Sequence, residues 1–442
     1  MKAIVIPGMN DMNKGDQALI WESVRLVEDT GLFKTVKVLV NGDTPEEMEQ
    51  LCSQSRSRGI KLVYNILPHP RRGKHQEDFR EGYRSQFRLI LNAVKDFMAL
   101  TFLQRNLKRG TLLSLFFDQN VLHSLREFRE ADVVFVKGGG FIHGYGEMSA
   151  PYLMWYFLFY VRLAKKMGKK VIILPNSFGP FRGLGVRSQV KKALLGADLI
   201  YAREQQSAHE LGSLLKKKIT VAKDLGFFLG KGESVKLNDF LPENLQRDDL
   251  VKVGITVRPW RFPGSLQADR LFENYLNSVR SLVDKCTKKG HAVLFFNQSI
   301  GPNSHEDDRL AITEVVNRLG ENENVCWINQ DFTCEELQSL YSELDFMVGT
   351  RFHSVIFSLT SGVPSLAIGY GGNKAGGIMG DFEMDEYTVP IDYLTPELLS
   401  QTFEKLFQNR EHIRKKLKGL PLQLQESREK LIGEIRHHIQ NN

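Results

Sequence analysis

The strongest constraint on the fold is a rhythm. Short, nearly unbroken apolar runs alternate with longer segments of helical period. "KAIVIPG", "TVKVLVNG", "ADVVFVKGGG", "KKVIILPNS", "ADLIYARE" and "KITVAKD" each give way to a loop or a helix-like stretch. The first of these stretches, from about Asp16, carries Ile20, Val24 and Val27 on one helical stripe. Strands that are apolar at every position are covered on both faces. That is the mark of a parallel sheet between helices, so the rhythm predicts an α/β fold.

The rhythm stops once. "GKGESVKLNDFLPENLQRDDL" is polar, contains Gly and Pro, and has no period, so it reads as a domain boundary. The alternation then restarts with "VKVGITVRP", "HAVLFFNQ", "NVCWINQ", "DFMVGT" and "VPSLAIGY", with helical segments between them. The expected organisation is a first α/β domain over residues 1–229 and a second over 230–394. A charged helical segment, 395–442, broken at Pro421, is expected to cross back to the first half. Residues 66–130 fit the rhythm poorly. They are basic ("PRRGK", "QRNLKRG") with apolar helical stretches such as "FRLILNAVKDFMALTFL". Two readings stand: a helical insertion packed on the first domain, or a surface that rests on a membrane.

Composition narrows the function classes. A chain of 442 residues has room for two or three domains, and its charged fraction of 25% is ordinary for a globular protein. The formal net charge of +7 fits either a solvated basic face or attraction to anions. No basic-aromatic motif points to nucleic acid. The four cysteines show no CxxC spacing, which argues for a reducing compartment and against a disulfide framework or a cysteine metal site. The N-terminal apolar run is too short for a signal peptide, and "YLMWYFLFYVRLA" is too short to span a bilayer. The expected setting is the cytoplasm.

In parallel sheets, ligands bind at the carboxyl ends of strands, and several unusual residues fall there. In "MNKGDQAL", Gly15 can take a tight turn; Asp16 can cap the following helix or meet a substrate. In "VKGGGFIHG", Gly138, Gly139 and Gly140 can either pack closely or leave amides free for an anion. Arg203 follows the strand in "YAREQQS". In "VGTRFHSVIF", Arg351 and His353 stand at the mouth of a helix. The helix dipole there disfavours an imidazolium, which suits a proton-transfer group, and Arg351 offers a fork for carboxylate or phosphate. Helix capping by His353 is the alternative. Lys374 stands among glycines in "YGGNKAGG", after the last strong strand. The second domain reads as built to hold a small, multiply anionic molecule and to move a proton beside it.

Taken in order, "NKGDQA", "KGGGF", "LPNSFGPF", "AREQQS", "KDLGF", "GTRFHS" and "YGGNK" resemble the polysaccharide pyruvyl transferases of bacterial surface and exopolysaccharide pathways. The resemblance implies a GT-B-like fold, two Rossmann-like domains with parallel sheets facing across a cleft. The first would serve the acceptor and the second the donor. It implies transfer of the enolpyruvyl unit of phosphoenolpyruvate to a sugar, with a pyruvate ketal as product. His353 and Arg351 match the family's catalytic pair. Arg203 and Lys374 match its other cationic contacts to the donor. No cofactor or metal is expected. The implied partners are phosphoenolpyruvate and a saccharide or lipid-linked saccharide acceptor, with a peripheral contact at the inner membrane. A nucleotide-sugar glycosyltransferase of the same fold would use similar residues. A non-catalytic polysaccharide-binding or assembly protein would need no proton-transfer group.

Overall fold

The computed structural model describes residues 1–8, 10–40, 42, 44–70, 72, 83–230, 232, 234–263, 265–370, 379–380 and 382–441. The chain divides into two compact units. Unit 1 comprises Met1–Asp11, Leu19–Leu225 and Ser427–Asn442; unit 2 comprises Met12–Ala18 and Gly226–Glu426.

Unit 1 is built on eight strands: β1 (Lys2–Ile6), β2 (Thr35–Leu39), β3 (Lys61–Val63), β4 (Val133–Val136), β5 (Gly139–Tyr145), β6 (Lys170–Arg182), β7 (Leu199–Ala202) and β8 (Thr220–Val221). Their order is β3-β2-β1-β4-β6-β7-β8, with β5 paired to β6. Unit 2 holds β9 (Lys252–Thr256), β10 (Ala292–Phe296), β11 (Val325–Ile328), β12 (Phe346–Gly349), β13 (Ser365–Gly369) and β14 (Thr388–Pro390), in the order β11-β10-β9-β12-β13-β14. Every pairing between these strands is parallel. The continuous apolar runs are central strands: β4, β9, β10, β12 and β13 are buried along their whole length. In each unit the chain winds outward in one direction and then in the other. The reversal lies between β1 and β4 in unit 1, and between β9 and β12 in unit 2. Such switch points leave a crevice at the carboxyl edge of a sheet.

Residues 66–130 supply helices to unit 1, principally Tyr83–Arg105 and Gln119–Glu130. Leu100, Leu103, Leu125 and Phe128 join its core. Arg72 clamps the buried Asp96 with two bonds of 2.9 and 2.7 Å, and the Tyr152 hydroxyl donates to the same carboxylate. The apolar segment near Tyr152 folds as two short helices, Ala150–Phe157 and Phe159–Lys166. Among the described residues no helix is long and apolar enough to cross a membrane. Toward the C-terminus, Pro421 sits in the first turn of the Leu420–Asn441 helix, where a missing N–H costs nothing. In unit 1 this helix places Arg428 on Glu22 (2.6 Å) and on Asp29 (2.7 Å), and Arg436 on the Thr30 carbonyl (2.8 Å).

Two local expectations change. The first helix begins at Lys14, so Asp16 lies inside its first turn. The cap is Asn13, whose Oδ1 accepts from the Gly15 and Asp16 amides at 3.1 and 3.4 Å, because a cap must precede the first helical residue. The glycine run after β4 is not an open loop either. It enters β5, where Gly139 pairs with Asn176 of β6. Its glycines are demanded by crowding and conformation: a methyl group on Gly138 would lie 3.1 Å from the Pro175 carbonyl oxygen, and Gly139 has φ of +148°.

Candidate active site

The carboxyl edge of the unit 2 sheet, at its switch point, gathers the chemistry. β9 and β12 are neighbours, in register through Thr256 and Gly349, and the Thr350 amide donates to the Thr256 carbonyl at 3.0 Å. Arg258 therefore emerges beside Thr350, Arg351 and the helix Phe352–Thr360 that carries His353. This loop is closely fixed. The Thr256 and Ser354 hydroxyls are 2.7 Å apart, and Ser354 Oγ donates to the Arg351 carbonyl at 2.6 Å. Gly349 has to be glycine, since a methyl there would sit 2.6 Å from both Ser354 Oγ and Val355 Cγ2.

Arg351 takes the N-cap position of the His353 helix and is itself buried. Its Nε donates to Asp308 at 2.8 Å, and a terminal nitrogen donates to the Glu306 carbonyl at 2.9 Å. Asp308 also accepts from the Gln298 and Ser299 amides just past β10, at 3.1 and 2.9 Å. Burial pushes the Asp308 carboxyl up to about 6, against the pull of Arg351. Burial pulls the Arg351 guanidinium down, but Asp308, Glu306 and Tyr370 together hold it above its ordinary value. The sequence reading gave Arg351's fork to a ligand; in the structure much of it goes to Asp308 and Glu306, which ties the helix mouth, just past β12, to the end of β10.

His353 is half-buried on the first turn. Gly15 packs directly on it. A methyl group built on Gly15 would fall inside van der Waals distance of Nδ1 and lie 2.6 Å from Cγ. The "NKGD" turn belongs to unit 2, which explains this closeness. Asn13 bridges to Ser299, and the Lys14 amide donates to the Gln298 carbonyl at 2.9 Å. The buried Lys14 ammonium pairs with Asp331 at 2.5 Å, and Gln17 Oε1 accepts from the Cys334 amide at 2.7 Å. Two residues singled out separately in the sequence, Gly15 and His353, thus form one contact.

Sequence reasoning passed over Arg258. It is buried, its guanidinium lies 5.0 Å from the Trp260 ring and 4.4 Å from the Tyr370 ring, and its Nε has no hydrogen-bond partner among the described residues. Its amide donates to the Tyr275 hydroxyl at 3.1 Å, and that hydroxyl meets Thr350 Oγ1 at 2.9 Å. A buried guanidinium with a donor unmet among the described residues, close to two aromatic rings, is of the kind that can meet an anion. The signal was present: "ITVRP" puts an arginine just past a strand end, as "VGTR" does.

The remaining candidates are distributed as follows. Arg203 lies in unit 1, past β7, and is buried. Its guanidinium donates to Asp224 and to Ser177 Oγ, both at 2.6 Å. Gly138, Gly139 and Gly140 also belong to unit 1. Lys374 falls outside the described residues.

Comparison with known proteins decides the family. The model of the polysaccharide pyruvyl transferase family matches residues 13–372. The chain belongs to that family. It is thus a transferase, of a family that serves polysaccharide biosynthesis. The amylovoran biosynthesis protein AmsJ of Erwinia amylovora is 24% identical over 123 residues, 28% of this chain and 29% of that protein. The matched stretch is therefore less than a third of that relative's length. Among solved structures, the UDP-GlcNAc 2-epimerase of Neisseria meningitidis is similar at TM-score 0.52 and 12% identity, over 100% of both chains. UGT73P12 of Glycyrrhiza uralensis is similar at TM-score 0.57 and 12% identity, over 100% of this chain and 96% of that one. At such identities the likeness shows the fold, which is GT-B-like with two Rossmann-like α/β units.

Proposed function

We propose that this pyruvyl transferase moves the enolpyruvyl unit of phosphoenolpyruvate onto two hydroxyls of a sugar, giving a pyruvate ketal and inorganic phosphate. The acceptor is a saccharide or lipid-linked saccharide of a cell-surface or exopolysaccharide. The observation that carries the reading is Arg258, a buried guanidinium with a donor unmet among the described residues, just past β9 and next to the strand that leads into the Arg351–His353 loop, at the carboxyl edge of a switch point. A donor with a carboxylate and a phosphate matches that edge in charge. Family membership supports the reaction class.

The chemistry balances without a redox step or cofactor. The methylene carbon of the enol takes a proton and becomes the ketal methyl. One sugar hydroxyl adds to C2 and loses its proton. The C–O bond to phosphate breaks, the second hydroxyl closes the ketal, and its proton leaves with the phosphate. Two protons come off hydroxyls, one reaches carbon and one reaches phosphate. His353 is proposed to carry them. Arg258 is proposed to bind the donor and balance charge as phosphate departs. Arg351, held by Asp308, is proposed to position the His353 helix. Lys374 and Arg203 enter as further donor contacts on the resemblance alone, and Gly15 as the clearance that the imidazole needs.

Thermal stabilisation by phosphoenolpyruvate, compared with a panel of nucleotide sugars, tests the donor. Phosphoenolpyruvate should raise the Tm, Arg258→Ala should abolish most of that rise, and His353→Ala should keep it while lowering phosphate release roughly 100-fold. A rise with nucleotide sugars only would replace the donor. A His353→Ala enzyme with normal turnover would remove the proton-transfer assignment.

A further inference from the structure

The Tyr83–Arg105 helix presents an unusual outward face. Phe87, Ile90, Leu91, Val94, Phe97 and Met98 are each more than half exposed. At 100° per residue they fall within an arc of about 120°. The opposite side is committed to unit 1. Leu100 and Leu103 are in its core, Asp96 is clamped by Arg72, and the Asn92 amide donates to the Pro70 carbonyl at 3.1 Å. The helix cannot roll its apolar arc inward without giving up those contacts. Leu115 and Phe116 extend the apolar surface and are also more than half exposed; Phe116 meets Phe102 of the helix edge-on, with ring centroids 5.0 Å apart. A surface helix in water normally carries the reverse pattern.

Among the described residues from 83 to 117, the exposed charges have one sign. Arg88, Lys95, Arg105, Lys108 and Arg109 are exposed. Between residues 83 and 117 the only acidic side chain is Asp96, which is buried and paired. A second copy of the chain would bring like charges together around the stripe, which disfavours self-association. An apolar band rimmed by cations matches an anionic bilayer, with acyl chains beneath and phosphates at the rim. No described helix is long and apolar enough to cross a membrane, and a helix of 23 residues lying in the plane offers about 34 Å of contact.

We propose that the Tyr83–Arg105 helix, with Leu115 and Phe116, docks this enzyme onto an anionic lipid surface. The stripe enters the boundary between headgroups and acyl chains, and the flanking cations meet lipid phosphates. The docking does not depend on the donor. If the acceptor is lipid-linked, which rests on the proposed function, docking brings the enzyme to it.

The test is co-sedimentation of the full chain with vesicles of phosphatidylcholine, with and without about 30% phosphatidylserine, at low and high salt. Wild type should pellet with the anionic vesicles at low salt and be released by high salt or by neutral lipid. Each cation replaced by Gln among Lys95, Arg105, Lys108 and Arg109 should lower the partition coefficient about fivefold. The triple change Leu91→Glu, Val94→Glu and Met98→Glu should abolish binding with no loss of Tm, because all three side chains face solvent. A wild type that stays in the supernatant at low salt would overturn the proposal, as would a triple variant that pellets like wild type. A lipid-free dimer that the triple variant converts to monomer would instead give the face to a second copy.

Discussion

Gly15→Ala tests the contact at the heart of the site. In a helix the change from Gly to Ala alone stabilises by about 0.5–1 kcal/mol. Here the new methyl would lie 2.6 Å from His353 Cγ and 3.0 Å from its Cβ. Ordinary carbon contacts start near 3.5 Å, so the ring has to move by about 1 Å or the turn has to strain. Overpacking of this kind costs about 1–3 kcal/mol. The net loss should be about 1–2 kcal/mol, a Tm drop of roughly 2–8 °C for a unit of this size. Under the proposed role of His353, turnover should fall about 100-fold, the penalty for displacing a proton-transfer group by about 1 Å. A double-mutant cycle separates this contact from a general effect. With His353→Ala the ring is gone and only the Cβ contact at 3.0 Å is left. Gly15→Ala should then be nearly neutral in Tm, giving a coupling of about 1–2 kcal/mol. Differential scanning fluorimetry on the four proteins, with phosphate release from phosphoenolpyruvate on the first two, completes the measurement. Equal costs in both backgrounds, or a Gly15→Ala enzyme with wild-type Tm and turnover, would refute the packing argument.

Two further outcomes follow from buried charge. Asp308→Asn leaves the Arg351 guanidinium buried without its counter-ion and should cost about 3–5 kcal/mol. Chemical denaturation would read this directly, and a loss under 1 kcal/mol would mean that the pair is not what holds the His353 helix mouth. In unit 1, burial pushes the Glu22 carboxyl from its ordinary 4.5 up to about 7, against the pull of Arg25 and Arg428. The folded state thus binds a proton between about pH 4.5 and 7 that the unfolded chain does not. This group's contribution to stability rises as pH falls through that window, by at most roughly 3 kcal/mol. Glu22→Gln should flatten the Tm-against-pH curve there, and an unchanged curve would refute the assignment.

Much of the architecture was legible because it is local. Continuous apolar runs between helical stretches specify parallel α/β structure, and a polar stretch without period marks where the rhythm restarts. Cations just past strand ends pointed to the carboxyl edge of the second sheet, and Arg351 and His353 were singled out that way. What spacing alone did not reveal depends on non-local pairing. Only the strand order makes β9 and β12 neighbours, which sets Arg258 beside the Arg351 loop. Only the fold brings Asp308 to Arg351 and Gly15 onto the imidazole, because these contacts join residues remote in the chain through sheet register and burial. The same distinction covers details that spacing leaves open. A glycine run reads alike as an open loop or as a crowded strand entry, and Pro175 and β6 decide which. Spacing puts Arg203 just past a strand end, and only the fold joins its guanidinium to Asp224 and Ser177. The Tyr83–Arg105 helix is apolar on two sides, so its period could not say which side meets the core. Packing of Leu100 and Leu103, and the clamp of Arg72 on Asp96, settle that physically: a helix with two apolar faces buries the one whose neighbours complete its contacts and leaves the other outside.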